Sequence, residues 1–386
     1  MKSSIIAMTL LSTASAPAFA AGIERRGDPS QILFEEGQNY VEFSVTSVDP
    51  DVSGLARIRA PAAPTGDIQD RYQNYALGYK YRLNDRVALA FVIDEPVGAD
   101  VTYQGPTAFG GGPFFGTSNA SVESVRYTGM AKYNATERFS VYGGVSYVGL
   151  SGNLTVVSPG TGGITPTNPP PRTPPLPPAP GNEGRYSLAV NKDFQVGYML
   201  GAAYENPDIA LRVALTYESE TEHDFRDNVG SPFEVELPRS ITLNAQSGIA
   251  KDTLLFGSVR WREWSKFQVA PQDFRSFRAG PPGVPTEIAF GTDDIYTYRL
   301  GIGRRVNENW SGAFILGYEE QTNNQVGNLE GTDGYLSYTV AVTHETEAWD
   351  ITGALSYIDL DNATTSVANF SGNEAFGFGL KVGKRF

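Results

Sequence analysis

No cysteine occurs among the 386 residues, which removes disulfides, thiolate metal sites and a cysteine nucleophile together. Histidine is nearly as scarce. With only His223 and His344 available, a multi-histidine metal centre cannot be assembled within one chain, and no Gly-x-Ser-x-Gly elbow accompanies either one. Both are read as ordinary surface groups, and neither an enzymatic activity nor a cofactor is expected. Basic residues are outnumbered, 30 Lys and Arg against 43 Asp and Glu, for a net charge of -13. A nucleic-acid partner is thereby disfavoured. Beyond the N-terminal segment no run of eighteen apolar residues exists, so a membrane-spanning helix is excluded by the thickness of a bilayer. A membrane β-barrel is not excluded. Its strands are apolar only at alternate positions, so a mean hydropathy of -0.26 is compatible with one.

What is present points to such a barrel. The first twenty residues carry Lys2, an apolar run from Ile5 to Leu11 and the small-x-small triplet Ala18-Phe19-Ala20, which together read as a secretory signal with the mature chain starting at Ala21. Tyr 20, Phe 21 and Gly 42 beside Met 4 is a β-protein profile with tight turns and aromatic girdles. The chain ends on Phe386, and stepping back in twos gives Val382, Leu380, Phe378 and Phe376 on one face, with Lys384 interrupting the stripe. That arrangement resembles the C-terminal assembly signal of outer-membrane barrels, so the barrel assembly machinery is an expected partner.

Alternation carries the fold assignment, because successive side chains of a strand point to opposite faces. In Tyr75-Ala76-Leu77-Gly78-Tyr79-Lys80-Tyr81-Arg82 the odd positions are bulky; in Tyr296-Thr297-Tyr298-Arg299-Leu300-Gly301-Ile302-Gly303 the even ones are. The same pattern predicts strands near 38–48, 71–83, 86–96, 122–134, 138–151, 185–204, 209–221, 232–250, 253–268, 293–306, 310–321, 334–345, 348–359 and 374–386. Fourteen is an even number, as a single-chain bacterial barrel requires. Tight turns alternate with longer connections at 49–70, 97–121, 152–184, 222–231, 269–292, 322–333 and 360–373. Short periplasmic turns and long extracellular loops therefore follow, in an all-β transmembrane antiparallel barrel (38–386) in the bacterial outer membrane, preceded by a short segment (21–37). Leu89, Phe91, Val125, Tyr127, Leu211, Val213, Leu215, Val259, Trp261, Phe314, Leu316, Leu336, Val340, Ile351, Leu355, Phe378 and Leu380 are expected to face lipid. Lys80, Asp94, Arg126, Lys132, Arg212, Arg260, Arg262, Arg299, Glu319, Asp350 and Lys381 are expected to face the lumen.

Candidate binding residues come from both compartments. Arg260, Arg262 and Arg299 fall on neighbouring strands, where they would hold an anionic head group or else pair with Glu319, Asp350 or Asp94. Phe114 and Phe115, with Phe109 in a glycine-rich loop, offer apolar surface outside the membrane that either captures a hydrophobic ligand or packs on the barrel rim. Ten prolines between Pro159 and Pro180 make 152–184 an extended surface loop without chemistry. Gly301-Ile302-Gly303 lies within a strand and reads as packing, not as a phosphate loop. Asp359 and Asp361 could contribute to a calcium site, but two carboxylates in an exposed loop without further ordered ligands are more often solvated, and calcium stays open.

Three segments resemble the FadL family of outer-membrane transporters for long-chain fatty acids and other hydrophobic compounds. Asp28-Pro29-Ser30 leading into Tyr40-Val41-Glu42-Phe43 is similar to the family's Asn-Pro-Ala region before the first strand, with Asp and Ser standing for Asn and Ala. Leu237-Pro238-Arg239-Ser240-Ile241-Thr242-Leu243, then Leu254 to Phe267 with Trp261, Trp264 and Ser265, is similar to a Pro-led strand and its Trp-Ser-bearing neighbour. The last strands with Phe386 complete the likeness, which spans the mature chain. It implies fourteen strands, an N-terminal hatch in the lumen, ligand capture by extracellular loops and passive lateral exit through the wall. Only Ala21 to Gly27 precede Asp28, so the hatch is a shortened one. The expected protein is a monomeric channel in contact with outer-membrane lipids, passing hydrophobic and carboxylate-bearing molecules. A general porin for small polar solutes and a closed structural or adhesive barrel are the alternatives.

Overall fold

The computed structural model describes residues 23–57, 64–103, 107–108, 112–113, 118–158, 184–277, 287–327, 330–365 and 368–386. Fourteen strands within these residues close into one antiparallel barrel: β1 (Asn39–Asp51), β2 (Tyr72–Arg82), β3 (Val87–Asp94), β4 (Asn119–Asn134), β5 (Phe139–Ser158), β6 (Gly184–Asn206), β7 (Leu211–Glu218), β8 (Ser240–Ala250), β9 (Thr253–Arg262), β10 (Ile295–Arg305), β11 (Trp310–Glu319), β12 (Tyr335–Glu345), β13 (Trp349–Leu360) and β14 (Asn373–Arg385). Each pairs with its sequence neighbours. Closure is made by β14 on β1, in register from Tyr40↔Arg385 to Asp51↔Glu374, and Asn39 and Phe386 exchange both backbone hydrogen bonds (3.0 and 3.1 Å). No strand edge is left facing lipid at the seam, the condition hydrocarbon imposes on a sheet.

One end of the barrel is built from short turns that repeat one device. Asn84 Oδ1 accepts from the N–H groups of Arg86 and Val87, Asn307 Oδ1 from those of Asn309 and Trp310, and the Thr136 hydroxyl from those of Arg138 and Phe139. A side-chain oxygen thereby takes the hydrogen bonds that a reversing backbone would otherwise leave unmet. The opposite end carries the long connections, which hold structure of their own. A hairpin of 221–226 on 232–237 rises between β7 and β8, and 53–56, 64–67, 363–364 and 368–370 form a four-stranded sheet over the mouth.

Two expected elements require correction. Residues 232–250 are not one strand: 232–237 belongs to the extracellular hairpin, and the wall resumes at Ser240, because Pro238 has no N–H for the ladder. Likewise 253–268 leaves the wall after Arg262, and Trp264–Lys266 turns as a 3-10 helix. The faces follow the alternation. All the expected lumenal residues are buried except Arg299, which is half-buried, while Leu89, Phe91, Val340 and Leu355 stand exposed to lipid. Lys384, the break in the C-terminal stripe, lies 4.9 Å from the centre of the Trp349 ring, where a cation at the membrane rim is stabilised by an aromatic face.

Gly301 is explained by its partner across the sheet. Phe256 pairs directly with it, and a Cβ at 301 would run into the Phe256 ring, so the missing side chain makes room for an aromatic inside the barrel. Gly301→Val is therefore expected to lower stability by about 1–3 kcal/mol, read by heat or urea unfolding in detergent. Adding Phe256→Ala should recover part of the loss, and equal destabilisation in both backgrounds would refute the packing account.

Candidate functional site

The N-terminal segment runs inside the barrel and meets lumenal polar groups from many strands. Asp28 caps the short 3-10 helix Pro29–Phe34 by accepting from Ser30 N–H (2.8 Å), and Pro29 suits the first helical position because it brings no N–H needing a partner. The other Asp28 oxygen reaches across the lumen. It accepts from Gln31, from the Thr216 hydroxyl on β7 (2.9 Å) and from the Asn244 amide on β8 (3.1 Å). The Asp-Pro-Ser element is thus a turn that also fastens the plug to the wall. Further along, Phe34 wedges between Lys132 and Arg212, whose charges lie 4.0 and 4.5 Å from its ring centre. Glu35 is buried beside Lys381 (3.5 Å), which Asp350 also pairs (3.5 Å).

The residues before Asp28 do two things at once. Glu24, buried, takes Arg262 at 2.8 Å and Arg260 at 3.0 Å on one carboxylate oxygen. Arg260 also meets Glu218 (3.0 Å), Glu218 meets Arg126 (2.8 Å), Arg126 meets Asp94 (2.7 Å), and Asp94 meets Arg26 (3.6 Å). A belt of alternating charge crosses the lumen. Arg260 and Arg262 therefore do pair, but with Glu24 and Glu218 in place of the expected Glu319, Asp350 or Asp94. Arg299 is half-buried on β10. It lines a polar lumenal cavity of about 150 Å³ together with Asp28, Asn244 and Arg260.

The same residues mend a break in the wall. β3 stops at Asp94, and after Glu95-Pro96 the chain resumes at 98–102, paired along its length with β4 and on its other side only by an isolated bridge, Gln69↔Val101, with Asp70 N–H donating to Asp100 (3.1 Å) and Thr102 N–H to Ile68 (2.8 Å). The register passes from Asp94↔Arg126 to Gly98↔Glu123, one residue more on the third strand than on β4, which is a bulge at a proline. Beyond Ala76, β2 has no strand partner on that side. The side chain and backbone of Glu95 serve Tyr75 N–H and the Asn74 amide instead, both at 3.0 Å. On the inner side Gly98 N–H donates to Ile23 (2.9 Å) and Arg25 N–H to Pro96 (2.9 Å). Arg25 itself stacks on Tyr72, 3.2 Å from the ring centre, and so stands in the gap between the second and third strands.

Above the belt, on the extracellular side, lies an apolar cavity of about 80 Å³. Its walls come from Ile23, from Val97 and Ala99 just past the break, from Leu150 and Leu188 on β5 and β6, from Phe225, Phe233 and Val235 of the hairpin, and from Phe267 and Ala289. Trp264 is buried in the same cluster. Among the described residues Glu330 is the one titratable side chain lining it. Phe114 and Phe115 lie outside the described residues, so their relation to this cavity is not defined by the structure. The residues that sequence reasoning missed are these cavity walls and the acids Glu24 and Glu218. Alternation of Phe233, Val235 and Leu237 against polar neighbours signals the hairpin; nothing in the sequence signals Glu24.

His223 overturns its reading as a surface group. It is fully buried under the hairpin, Nδ1 3.4 Å from Asp193 and Nε2 3.2 Å from the Thr221 hydroxyl, because Thr221, His223 and Phe225 share the inward face. Burial lowers its pKa below the ordinary 6.5, with Asp193 opposing. A depressed histidine contributes stability that is complete above pH 6.5 and is lost as the pH falls toward the folded-state value. Protection factors of the 221–237 amides, corrected for the intrinsic pH dependence of exchange, should fall between pH 7.5 and 5, and His223→Gln should abolish that fall; protection indifferent to pH would end the argument. For the belt, Glu24→Leu leaves two buried guanidiniums short of an acid and should cost about 3–5 kcal/mol. Thermal unfolding of Glu24→Leu, Arg262→Met and the double variant checks it, since strict additivity would mean that the pair is not coupled.

Comparison with known proteins places this architecture. The family model described as outer membrane protein transport protein (OMPP1/FadL/TodX) matches residues 3–311. A FadL homologue of Pseudomonas aeruginosa is similar in structure with a TM-score of 0.69 at 16% identity, over 96% of this chain and 97% of that one. The toluene transporter TodX of Pseudomonas putida is similar with a TM-score of 0.63 at 13% identity, covering 93% and 92%. The toluene transporter TbuX of Ralstonia pickettii gives 0.59 at 17%, covering 92% and 90%. No curated protein matches the chain in sequence.

Proposed function

Because the chain belongs to the OMPP1/FadL/TodX family of outer-membrane transport proteins, and is thus an outer-membrane channel for hydrophobic compounds, we propose that its cargo is a small neutral molecule of about one ring. The cargo binds in the apolar cavity and leaves sideways through the break in the third strand. The carrying observation is the contrast between that cavity and the floor beneath it. Apolar side chains line the cavity on nearly every side, whereas Glu24, Arg260, Arg262 and Glu218 form the layer below. A hydrophobic molecule going straight down would have to displace buried ion pairs, each of which costs about 3–5 kcal/mol to break. Going sideways it meets Val97, Ala99 and the gap held by Arg25.

Size favours a small cargo. A dry apolar cavity of ~150 Å³ admits benzene, so about 80 Å³ suits one ring after modest side-chain movement and not an extended acyl chain. TodX and TbuX are described as toluene transporters, in keeping with that scale. Long-chain fatty acids are the second reading, favoured by Arg299 beside the polar lumenal cavity, where a carboxylate would find a cation. In either case the protein acts as a monomer without catalysis, Phe114 and Phe115 assist capture, residues 1–20 direct export, and Phe386 presents the barrel to the assembly machinery.

Uptake by intact Gram-negative cells expressing the protein tests the reading, because the lipopolysaccharide leaflet slows hydrophobic solutes. Toluene influx should rise several-fold over cells lacking it, and Ala289→Phe, which fills the cavity, should return it to background. Faster oleate uptake with toluene unchanged would favour the fatty-acid reading, and free passage of small sugars would favour a porin.

A further inference from the structure

Four polar side chains among the described residues, Ser121, Ser151, Asn153 and Glu330, stand in the lining of the apolar cavity, and Glu330 is the titratable one among them. Ser121 is spent on Asp100, to which its hydroxyl donates at 3.1 Å. Glu330 is different. Its backbone is held, N–H to Gly327 at 3.1 Å and carbonyl to the Gln69 amide at 2.7 Å, so the side chain is anchored at the cavity edge by both ends of its own peptide. The carboxyl lies against the Gly327 backbone, close enough that a Cβ at 327 would sit 3.3 Å from Oε1, and no cation among the described residues pairs with it. Asp333 nearby is fully engaged, accepting from Thr322 N–H, the Thr322 hydroxyl and Asn323 N–H.

We infer that Glu330 is a specificity-determining group of this cavity, selecting hydrophobic molecules that carry a hydroxyl, such as phenols and aryl alcohols, over the corresponding hydrocarbons. The inference rests on the reading of the cavity as the ligand site. Its chemistry is that of a carboxyl at the edge of apolar surroundings. Burial, with the Asp333 charge beside it, holds the group well above the ordinary carboxylate range, and the uncharged form presents one O–H donor and one carbonyl acceptor. A hydroxyl, donor and acceptor at once, satisfies both. A methyl in its place leaves the carboxyl O–H without an acceptor after water has been excluded, since the Gly327 backbone N–H serves only as a donor to the group, and sites built to hydrogen-bond a substrate group discriminate strongly against analogues that lack it.

Two near-isosteric probes, p-cresol and p-xylene, separate the cases when binding to detergent-solubilised full-length protein is measured by calorimetry at neutral pH. Wild type should bind p-cresol about tenfold more tightly than p-xylene. Glu330→Leu should weaken p-cresol about tenfold while p-xylene holds or tightens, and Glu330→Gln, which keeps a donor and an acceptor, should retain most of the preference. Equal affinity for both probes in wild type, or an unchanged preference in Glu330→Leu, would overturn the role of Glu330 while leaving the cavity as the ligand site. If neither probe bound, or if Ala289→Phe left both affinities intact, the reading of the cavity itself would fall, and this inference with it.

Discussion

Inside a bilayer every backbone N–H and C=O must find a partner within the protein, and the rest of this structure follows from how the chain meets that demand. The sheet closes on itself through Asn39 and Phe386. Closure turns one side chain in two toward an enclosed lumen, where water is limited and charge is costly without a counter-charge. The lumen is nonetheless rich in arginine and lysine. Its acids are supplied partly by the strands, as Asp94, Glu218 and Asp350, and partly by a segment that is not a strand at all, through Glu24, Asp28 and Glu35. The N-terminal segment is therefore as much a counter-ion as a plug.

The same demand accounts for the break in the wall at Pro96. Where Pro96 ends β3, the backbone of 96–98 loses its neighbour on β2, and the plug supplies hydrogen bonds through Ile23, Arg25 and Arg26. Glu24 sits among those three residues, so the segment that mends the break also ties the charge belt together. Movement of 23–26 would disturb both. A wall opening and a loosened belt are thus coupled by chain connectivity over four residues, with no longer-range relay needed.

The barrel was legible because its signal is periodic and repeated: each of fourteen stretches independently reports which face meets lipid, and Tyr75 to Arg82 shows it in eight residues. The assignment of inward charges was legible for the same reason. Partner identity was not, since Arg260 could meet any acid that the lumen brings near, and Glu24 is separated from it by more than two hundred positions. His223 was misjudged because a loop was assumed where a second hairpin stands, and alternation at Thr221, His223 and Phe225 is too short to announce itself. The break in the third strand had a sequence signal, Pro96 inside an expected strand, whose meaning depends on a neighbour that one sequence does not display. The cavity was the least legible of all, being assembled from the plug, four strands and three connections.

Function in this barrel rests on juxtaposed opposites. Apolar side chains alone would make a sink that holds its ligand, and a charged lumen alone would pass ions or water. On the proposed reading, an apolar cavity set directly on a neutralised charge belt would give a hydrophobic ligand one downhill direction, out through the wall toward lipid, where the side chains past β3 are Val97 and Ala99. Transport along that proposed route would need no energy input. It follows from the partition of an apolar molecule between water outside, a small dry cavity, and the hydrocarbon beyond the gap, with the belt closing the path that would otherwise lead through the barrel.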